Sequence, residues 1–188
     1  MKLVRTEVAF HSPWMDLLAK TFDESNDPYY TVKVPDYTSV IALTTDRRVV
    51  LVRQYRPAVE HHTIELPSGV IDPGESPEET ARRELLEETG YQASQWHVLL
   101  DYFSSPGYTT ERIRIFLARG VKQAAHNGYV REQEEKYIVA DWVPLAEAVR
   151  LALAGKLHNG PAIAGVLAGY AASSEEFSGL SPATATGM

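Results

Sequence analysis

The chain has 188 residues, a formal net charge of −7 and no cysteine. With 44% hydrophobic and 23% charged residues it has the composition and length of one globular domain. The absence of cysteine excludes disulfides and thiolate catalysis, no apolar run approaches the roughly 20 residues of a membrane span, and no basic cluster typical of nucleic-acid binders occurs. The N-terminal residues lack the apolar core of a signal peptide, so we expect a cytoplasmic protein without nucleic-acid or membrane partners.

The first 36 residues form a segment of their own. It contains a possible strand in KLVRTEVAF, whereas SPWMDLLAKTF has a more helical pattern. From Tyr29 onward, strand-like runs separated by turns dominate the sequence: YYTVKV, TSVIAL, RVVLVRQY and TIELPSG. The segment TTDRR between two of these runs predicts a hairpin turn, although it lacks the glycine that such turns favour.

A helix follows these strands, and the sequence marks both of its ends. The segment SPEE is a capping box, in which Ser76 caps the helix and Glu79 reaches back to it, with proline at the first helical position. Gly90 supplies the C-terminal stop. We therefore predict a helix from about Pro77 to Thr89.

The remainder of the chain alternates strands and helices. Strands are predicted at HVLLDYF, RIRIFLARG and YIVADWVPL, with a polar loop, HNGYVREQEEK, before the last of them. Two helices come next, LAEAVRLALAG and one that begins near Pro161. We predict an N-terminal segment at 1–36, a domain at 37–172 and a disordered, small and polar tail at 173–188. The pattern is that of an α/β (α+β) fold, a mixed sheet with helices on both faces.

The predicted helix carries three carboxylates on one face, in RRELLEETG. Glu84, Glu87 and Glu88 lie one turn apart there, and like charges at that spacing repel by about a few tenths of a kcal/mol per pair. One interpretation is a solvated acidic face. The other is a divalent-metal site, because clustered oxygen ligands with room for water suit Mg²⁺ or Mn²⁺, and the preceding glycine-rich loop lets backbone carbonyls approach the same ions.

The spacing of the motif favours the metal site. From Gly69 to Tyr91 the chain reads GVIDPGESPEETARRELLEETGY: a glycine, five residues, a glutamate, seven residues, then Arg-Glu-Leu-Leu-Glu-Glu-Thr-Gly. This resembles the Nudix box at every fixed position, with a chance probability on the order of 10⁻⁶. The chain is therefore similar to the Nudix hydrolases, whose box has an aliphatic residue where Tyr91 stands.

The resemblance extends beyond the box to the ADP-ribose pyrophosphatase branch of that family. The segment LVRQYRPAVEHHTIELPSGVIDPGE looks like the arginine-rich strand and Glu-Leu-Pro-x-Gly turn of the branch. A proline-bearing turn, SSPGY, stands about fifteen residues after the box, and the acidic loop REQEE precedes a strand and the segment WVPL. Together these matches run from Tyr37 to Leu145.

The resemblance implies a Nudix-type α/β/α sandwich and assigns roles to particular residues. Glu84, Glu87 and Glu88, with the carbonyl of Ser68, would bind Mg²⁺, with Mn²⁺ as an alternative ion, and Arg83 would orient the carboxylates. The implied substrate contacts are Arg53, Arg56, Glu65, Pro106, Gly107 and Glu111. Together with Glu87 and Arg83, the catalytic set would include a general base from the loop at 131–135, where Glu134 matches best and Glu132 and Glu135 are alternatives.

The same resemblance implies the reaction. We expect Mg²⁺-dependent hydrolysis of ADP-ribose, or of a related nucleoside diphosphate sugar, to AMP and ribose 5-phosphate. The alternatives are another Nudix substrate (GDP-mannose, a nucleoside triphosphate or a dinucleotide) and a non-catalytic ADP-ribose-binding module. A homodimer is expected, in which the N-terminal segment exchanges across the interface and an aromatic residue such as Trp14 reaches the partner's site.

Overall fold

The computed structural model describes residues 1–25, 27–125 and 136–184. Its elements in chain order are β1 (Leu3–His11), β2 (Asp16–Phe22), β3 (Tyr29–Lys33), β4 (Tyr37–Ala42), β5 (Arg48–Arg56), a single 3-10 turn (Pro57–Val59), β6 (His61–Glu65), β7 (Ser68–Val70), α1 (Pro77–Thr89), β8 (Tyr91–Gln92), β9 (Gln95–Phe103), β10 (Arg112–Arg119), β11 (Lys122–Gln123), β12 (Val139–Pro144), α2 (Leu145–Leu153), α3 (Gly160–Ser174) and β13 (Ser181–Pro182).

The N-terminal segment is a three-stranded antiparallel sheet in the order β1-β2-β3. The strand expected in KLVRTEVAF is confirmed as β1. The more helical interpretation of SPWMDLLAKTF is wrong, because residues 16–22 form the central strand of this sheet. Leu17, for example, pairs with Phe10 on one side and Val32 on the other. Hydrogen bonding along both edges outweighs a weak local helix preference.

The main body contains a five-stranded sheet in the order β13-β9-β10-β4-β7 and a three-stranded sheet in the order β12-β5-β6. β10 and β4 run parallel, whereas the other neighbours in these two sheets are antiparallel. The prediction of a mixed sheet is therefore confirmed. A two-stranded ribbon of β8 and β11 lies beside them.

Helices cover both faces of the five-stranded sheet, as predicted. Successive residues of a strand point to opposite faces, and the two cores divide accordingly. Val40 and Phe116 pack in the cluster that contains Ala81 and Leu85 of α1. Their neighbours in sequence pack in the other cluster, which contains residues of α2 and α3. Within the described residues, no helix is long and apolar enough to cross a membrane.

The ends of α1 follow the predicted capping pattern. The N–H of Glu79 donates to Ser76 Oγ (3.3 Å), and the N–H of Ser76 donates to Glu79 Oε2 (2.8 Å). At the other end the N–H of Gly90 donates to Leu86 O (2.8 Å), with Gly90 at φ 76°, a conformation that glycine adopts without steric cost. Hydrogen bonds between residues that are close in sequence therefore define where α1 begins and where it ends.

The predicted hairpin turn in TTDRR is present, whereas the C-terminal segment differs from the expected disordered tail. In the turn, the N–H of Arg47 donates to Thr44 O (3.0 Å). α3 runs to Ser174, Phe177 then packs on the core beneath α2 and α3, and β13 pairs with β9. The contact of Phe177 with the core and the short strand β13 therefore give this polar segment a defined structure as far as residue 184. Residues 185–188 lie outside the described residues.

The packing of α3 on the sheet gives a test of this fold. A Cβ added to Gly165 would lie 2.7 Å from Leu66 Cδ1 and 3.2 Å from Ile41 Cγ1, whereas at Gly169 the nearest atom is 3.4 Å away. We expect Gly165→Ala to lower the free energy of unfolding by about 1–3 kcal/mol because the core is overpacked. Gly169→Ala, one turn further along the same helix, should be neutral or stabilising. Urea unfolding would measure both, and equal effects would contradict the close contact.

Candidate metal and diphosphate site

The inner face of α1 brings two of the three box glutamates into the protein interior. Thr80, Glu84 and Glu88 are spaced four residues apart and form one buried row, with the carboxylate residues only 7% and 5% exposed. Glu87 is partly buried beside them. A solvated acidic face is therefore excluded for Glu84 and Glu88. Buried carboxylates carry a large desolvation cost unless they are paired, hydrogen-bonded or protonated.

The strand β7 lies directly against this row. The backbone N–H of Ser68 donates to Glu88 Oε2 (3.0 Å). The next residue, Gly69, approaches Glu84 so closely that a Cβ at this position would overlap the carboxylate. The glycine is therefore required by the close approach of backbone to a side chain. This contact explains in physical terms why a glycine begins the sequence motif.

Arg83 joins four carboxylates around the helix. Its Nε and Nη2 donate to the two oxygens of Glu75 (3.0 and 2.9 Å), while Nη1 donates to Glu84 Oε1 (2.5 Å) and Glu87 Oε2 (3.1 Å). Asp72 lies 3.6 Å from Nη2. The resemblance implies that Arg83 orients the box carboxylates, and the alternative role for an arginine at this spacing is a one-turn salt bridge. The geometry contains both contacts, because Glu84 is a box carboxylate and Glu87 lies one turn along the helix.

The pKa values of two carboxyl groups at the site, Glu75 and Glu88, are shifted in opposite directions. Hydrogen bonds from Arg83, and then from the Thr80 hydroxyl, lower the pKa of Glu75 to about 2. Burial and the neighbouring charge of Glu84 raise the pKa of Glu88 well above its ordinary value, against the opposing effects of the Ser68 N–H and Arg56. Burial therefore favours the protonated, neutral form of Glu88, whereas Glu75 stays ionised beside Arg83.

A second ionic cluster lies beside the first, at the ends of β5 and β6. Arg56 Nε and Nη2 donate to the two oxygens of Glu65 (2.8 and 2.7 Å), and Glu65 is 1% exposed. The hydroxyl of Thr63 and the amide of Gln54 also donate to this carboxylate, at 2.5 and 3.4 Å. The hydrogen bonds to Glu65 raise the pKa of Arg56, so this guanidinium stays charged.

Tyr37 links the two clusters and was missed by the sequence analysis. Its hydroxyl donates to Ser68 Oγ (2.6 Å), and burial raises its pKa. The charges of Arg56 and of Glu88 both act on it. Its position at the start of β4 is visible in the sequence, but the pairing of β4 with β7, which brings Tyr37 to Ser68, is long-range.

The remaining predicted substrate residues belong to β5 and to the loop between β9 and β10. Arg53 is exposed on β5, while Pro106, Gly107 and Glu111 belong to the loop between β9 and β10. The N-terminal sheet holds this loop: the N–H of Val32 donates to Tyr108 O (2.7 Å), and the Tyr29 hydroxyl donates to Gly107 O. Glu134, with its alternatives Glu132 and Glu135, lies outside the described residues.

The donor set fits a hard divalent cation. Glu84, Glu87, Glu88 and the carbonyl of Ser68 carry oxygen atoms, the ligand type that Mg²⁺ prefers. Across the part of the chain that the structure describes, no three acidic or histidine side chains converge on one metal position. Instead, one nitrogen atom of Arg83 donates to both Glu84 and Glu87. Residues of the right chemistry are therefore gathered here around a guanidinium.

The low pKa of Glu75 gives a pH-dependent prediction. A carboxyl whose pKa falls from 4.5 to about 2 on folding adds stability above pH 4.5 and loses it as the pH falls towards 2. Glu75→Gln should therefore lower the urea midpoint at pH 7, and the deficit should shrink between pH 4.5 and 2.5. Glu78→Gln, which removes the exposed pair with Arg82, should change the free energy by less than about 0.5 kcal/mol. A deficit for Glu75→Gln that stays constant with pH would refute the pairing.

Comparison with known proteins places these residues within a family. A model of the NUDIX domain matches residues 35–164. An ADP-ribose pyrophosphatase of Mycobacterium tuberculosis is 40% identical over 134 residues, 71% of this chain and 64% of the relative, so the chain spans just under two thirds of that protein. An ADP-ribose pyrophosphatase of Bacillus subtilis is 29% identical over 161 residues, 84% of this chain and 86% of the relative.

A solved structure shows the same fold. The crystal structure of an ADP compounds hydrolase superposes with a TM-score of 0.77 at 20% identity, covering 93% of this chain and 95% of the other. The Nudix-type sandwich expected from the sequence is thus confirmed. The matched range 35–164 contains the whole of α1, β7 and both ionic clusters. On its domain match and its fold, this chain belongs to the Nudix family.

Proposed function

We propose that this chain is a Mg²⁺-dependent pyrophosphatase that hydrolyses the diphosphate bond of ADP-ribose, or of a related nucleoside diphosphate sugar, to AMP and ribose 5-phosphate. The observation that carries the proposal is the burial of Glu84 and Glu88 against the backbone of β7. The names of the relatives from M. tuberculosis and B. subtilis support the substrate class.

The box residues have distinct proposed roles. Glu84, Glu87, Glu88 and the carbonyl of Ser68 would hold Mg²⁺, or Mn²⁺ in its place, as ligands. The bound ion would neutralise the diphosphate and lower the pKa of a coordinated water. The raised pKa of Glu88 means that cation binding must displace a proton from this carboxyl over part of the pH range.

Arg83 is proposed to orient the ligands. It contacts Glu84 and Glu87 through one nitrogen and is itself held by both oxygens of Glu75. The bidentate pair with Glu75 fixes the plane of the guanidinium, so the positions of two carboxylates depend on a residue in the loop before the helix.

Arg56 is the proposed diphosphate or ribose contact. A guanidinium has five N–H donors, and Glu65 accepts two of them while the Arg56 side chain remains 37% exposed. A protein of net charge −7 needs such local cations to attract an anionic substrate.

The other proposed substrate residues are Arg53, Glu65, Pro106, Gly107 and Glu111. Glu134 is the proposed general base, with Glu132 and Glu135 as alternatives, and Glu134→Gln should lower kcat without weakening metal binding.

We also propose that the chain acts as a homodimer through its N-terminal sheet. Every residue of β1 is exposed, including Val8 (59%) and Phe10 (53%), and Trp14 in the following turn is 82% exposed. β1 is an edge strand of its sheet, and an exposed edge strand with apolar side chains is a surface on which another chain can pair.

The dimer proposal predicts an effect of charge on this surface. Wild-type protein should sediment as a dimer, and the double variant Val8→Glu/Phe10→Glu should sediment as a monomer, because two buried carboxylates would face each other. Leu153→Glu, at an apolar residue on α2 that is 75% exposed, is the control and should stay dimeric. A wild-type monomer would refute the proposal.

The substrate proposal is tested by turnover of ADP-ribose, GDP-mannose, UDP-glucose, NADH and dATP with and without Mg²⁺, with products identified by chromatography. Release of AMP from ADP-ribose in the presence of Mg²⁺ is expected. Comparable rates on several sugars would keep the chemistry and enlarge the substrate class. Binding of ADP-ribose without any hydrolysis would favour the non-catalytic module.

The role of the buried row is tested by Glu88→Gln. The amide has the shape of the protonated carboxyl that burial favours, so the fold should be retained. Turnover with Mg²⁺ should fall by at least about 100-fold, because a metal ligand is lost. Glu78→Gln on the solvent side of the same helix should leave kcat unchanged. Wild-type kcat in Glu88→Gln would exclude Glu88 as a ligand.

A further inference from the structure

A cavity, here called the second cavity because it is separate from the candidate metal site, lies at the opposite end of β4 from the carboxylate row. Tyr37 begins this strand at the metal site, and Leu43, just after its end, lines a cavity of about 420 Å³. Six residues of strand separate the two positions by about 20 Å. The hairpin turn after β4, the end of β10 and the C-terminal end of α3 enclose the cavity. Its volume lies within the range of small-molecule binding sites.

The charge of this cavity is opposite to that of the chain as a whole. Arg47 and Arg119 line it together with hydroxyl and amide side chains, and no carboxylate belongs to its lining among the described residues. In a protein of net charge −7, such a surface attracts anions locally.

Arg119 presents a buried donor that lacks an acceptor. Its Nε is inaccessible to solvent and has no hydrogen-bond partner among the described residues. The guanidinium stacks on the ring of Phe177, with Cζ 4.6 Å from the centroid. An unsatisfied buried donor is energetically unfavourable. Because Nε is closed off from solvent, the side chain must shift before this donor can reach an acceptor oxygen in the cavity that Arg119 lines.

Arg47 occupies a backbone conformation that normally selects glycine. Its φ is 60°, in the left-handed region, at a turn position where glycine or asparagine is favoured. A non-glycine residue held there is strained. The side chain is placed by Nη2, which donates to Ser173 Oγ (2.6 Å), and by the ring of Tyr170, 5.8 Å away. The two arginines thus approach the cavity from different elements.

We propose that this cavity binds a small phosphorylated metabolite, with its phosphate between Arg47 and Arg119. Guanidinium groups match the geometry of phosphate oxygens in bidentate fashion. The hydroxyl of Thr45 in the lining can add a donor for a group that has several acceptor oxygens, whereas those of Thr44 and Ser173 already donate to Arg48 O (3.2 Å) and Tyr170 O (2.7 Å). The volume exceeds that of phosphate alone, so the ligand carries an organic portion. This site is independent of the proposed hydrolysis.

Calorimetric titration of the full chain with glucose 6-phosphate and with inorganic phosphate tests the proposal. At least one of them should bind with a Kd of about 1 mM or tighter, and glucose should not bind. Amide resonances of Gln95 and Gly120 should shift on titration, while those of Ser68 and Gly69 should not. Absence of binding by both phosphates, or shifts confined to Ser68 and Gly69, would overturn the proposal.

Two variants and a control complete the experiment. Arg47→Gly removes a guanidinium at a position whose φ suits glycine, so the fold is retained, and affinity should fall at least about 10-fold. Arg119→Gln should have a similar effect. Arg150→Gln makes the same change of charge at an exposed residue of α2 paired with Glu147 and should bind as wild type. Unchanged affinity in Arg47→Gly would exclude the assigned site.

Discussion

The burial of two carboxylates against the backbone of β7 is the constraint on which the functional part of this structure depends. Glu84 and Glu88 are nearly inaccessible to solvent, and the Ser68 N–H and the missing Cβ of Gly69 make their burial possible. Like charges in such a place are unfavourable without a cation. The protein supplies one of its own, since Arg83 contacts Glu84 and is held in turn by Glu75. The proposed function rests on this arrangement, because clustered carboxylate oxygens are the ligands that a hard divalent cation prefers.

The core sheet separates two regions of opposite charge. At the beginning of β4, Tyr37 lies between the carboxylate row and the pair of Arg56 with Glu65. Beyond the end of the same strand, Arg47 and Arg119 surround the second cavity. The strand itself is buried and uncharged, so the two regions share a rigid element but no side chains. If both proposals hold, one small domain would bind a cation at one end of β4 and an anion at the other.

The N-terminal sheet contributes to the site through a loop. Backbone hydrogen bonds between Val32 and residues 108 and 110 attach β3 to the turn that contains Pro106 and Gly107. The position of that turn therefore depends on residues more than 70 positions earlier in the sequence. β1 is exposed along its length and is the surface of the proposed dimer. β2 and β3 join this surface to the loop that contains the proposed substrate residues.

The sequence by itself determined α1, its capping box, its terminal glycine and the row of glutamates, because these depend on contacts within one or two helical turns. The mixed sheet with helices on both faces was also predictable from hydrophobic periodicity. Only the tertiary structure decided that residues 16–22 form a central strand, since hydrogen bonds to two neighbouring strands outweigh a local preference. Three other contacts were also decided by the tertiary structure. The Tyr37 hydroxyl donates to Ser68 Oγ, and the side chains of Thr63 and Gln54 donate to Glu65. The segment after Ser173 packs on β9 and on the core. These contacts join residues that are distant in the chain or set by strand register, and short-range sequence patterns contain no information about such pairings.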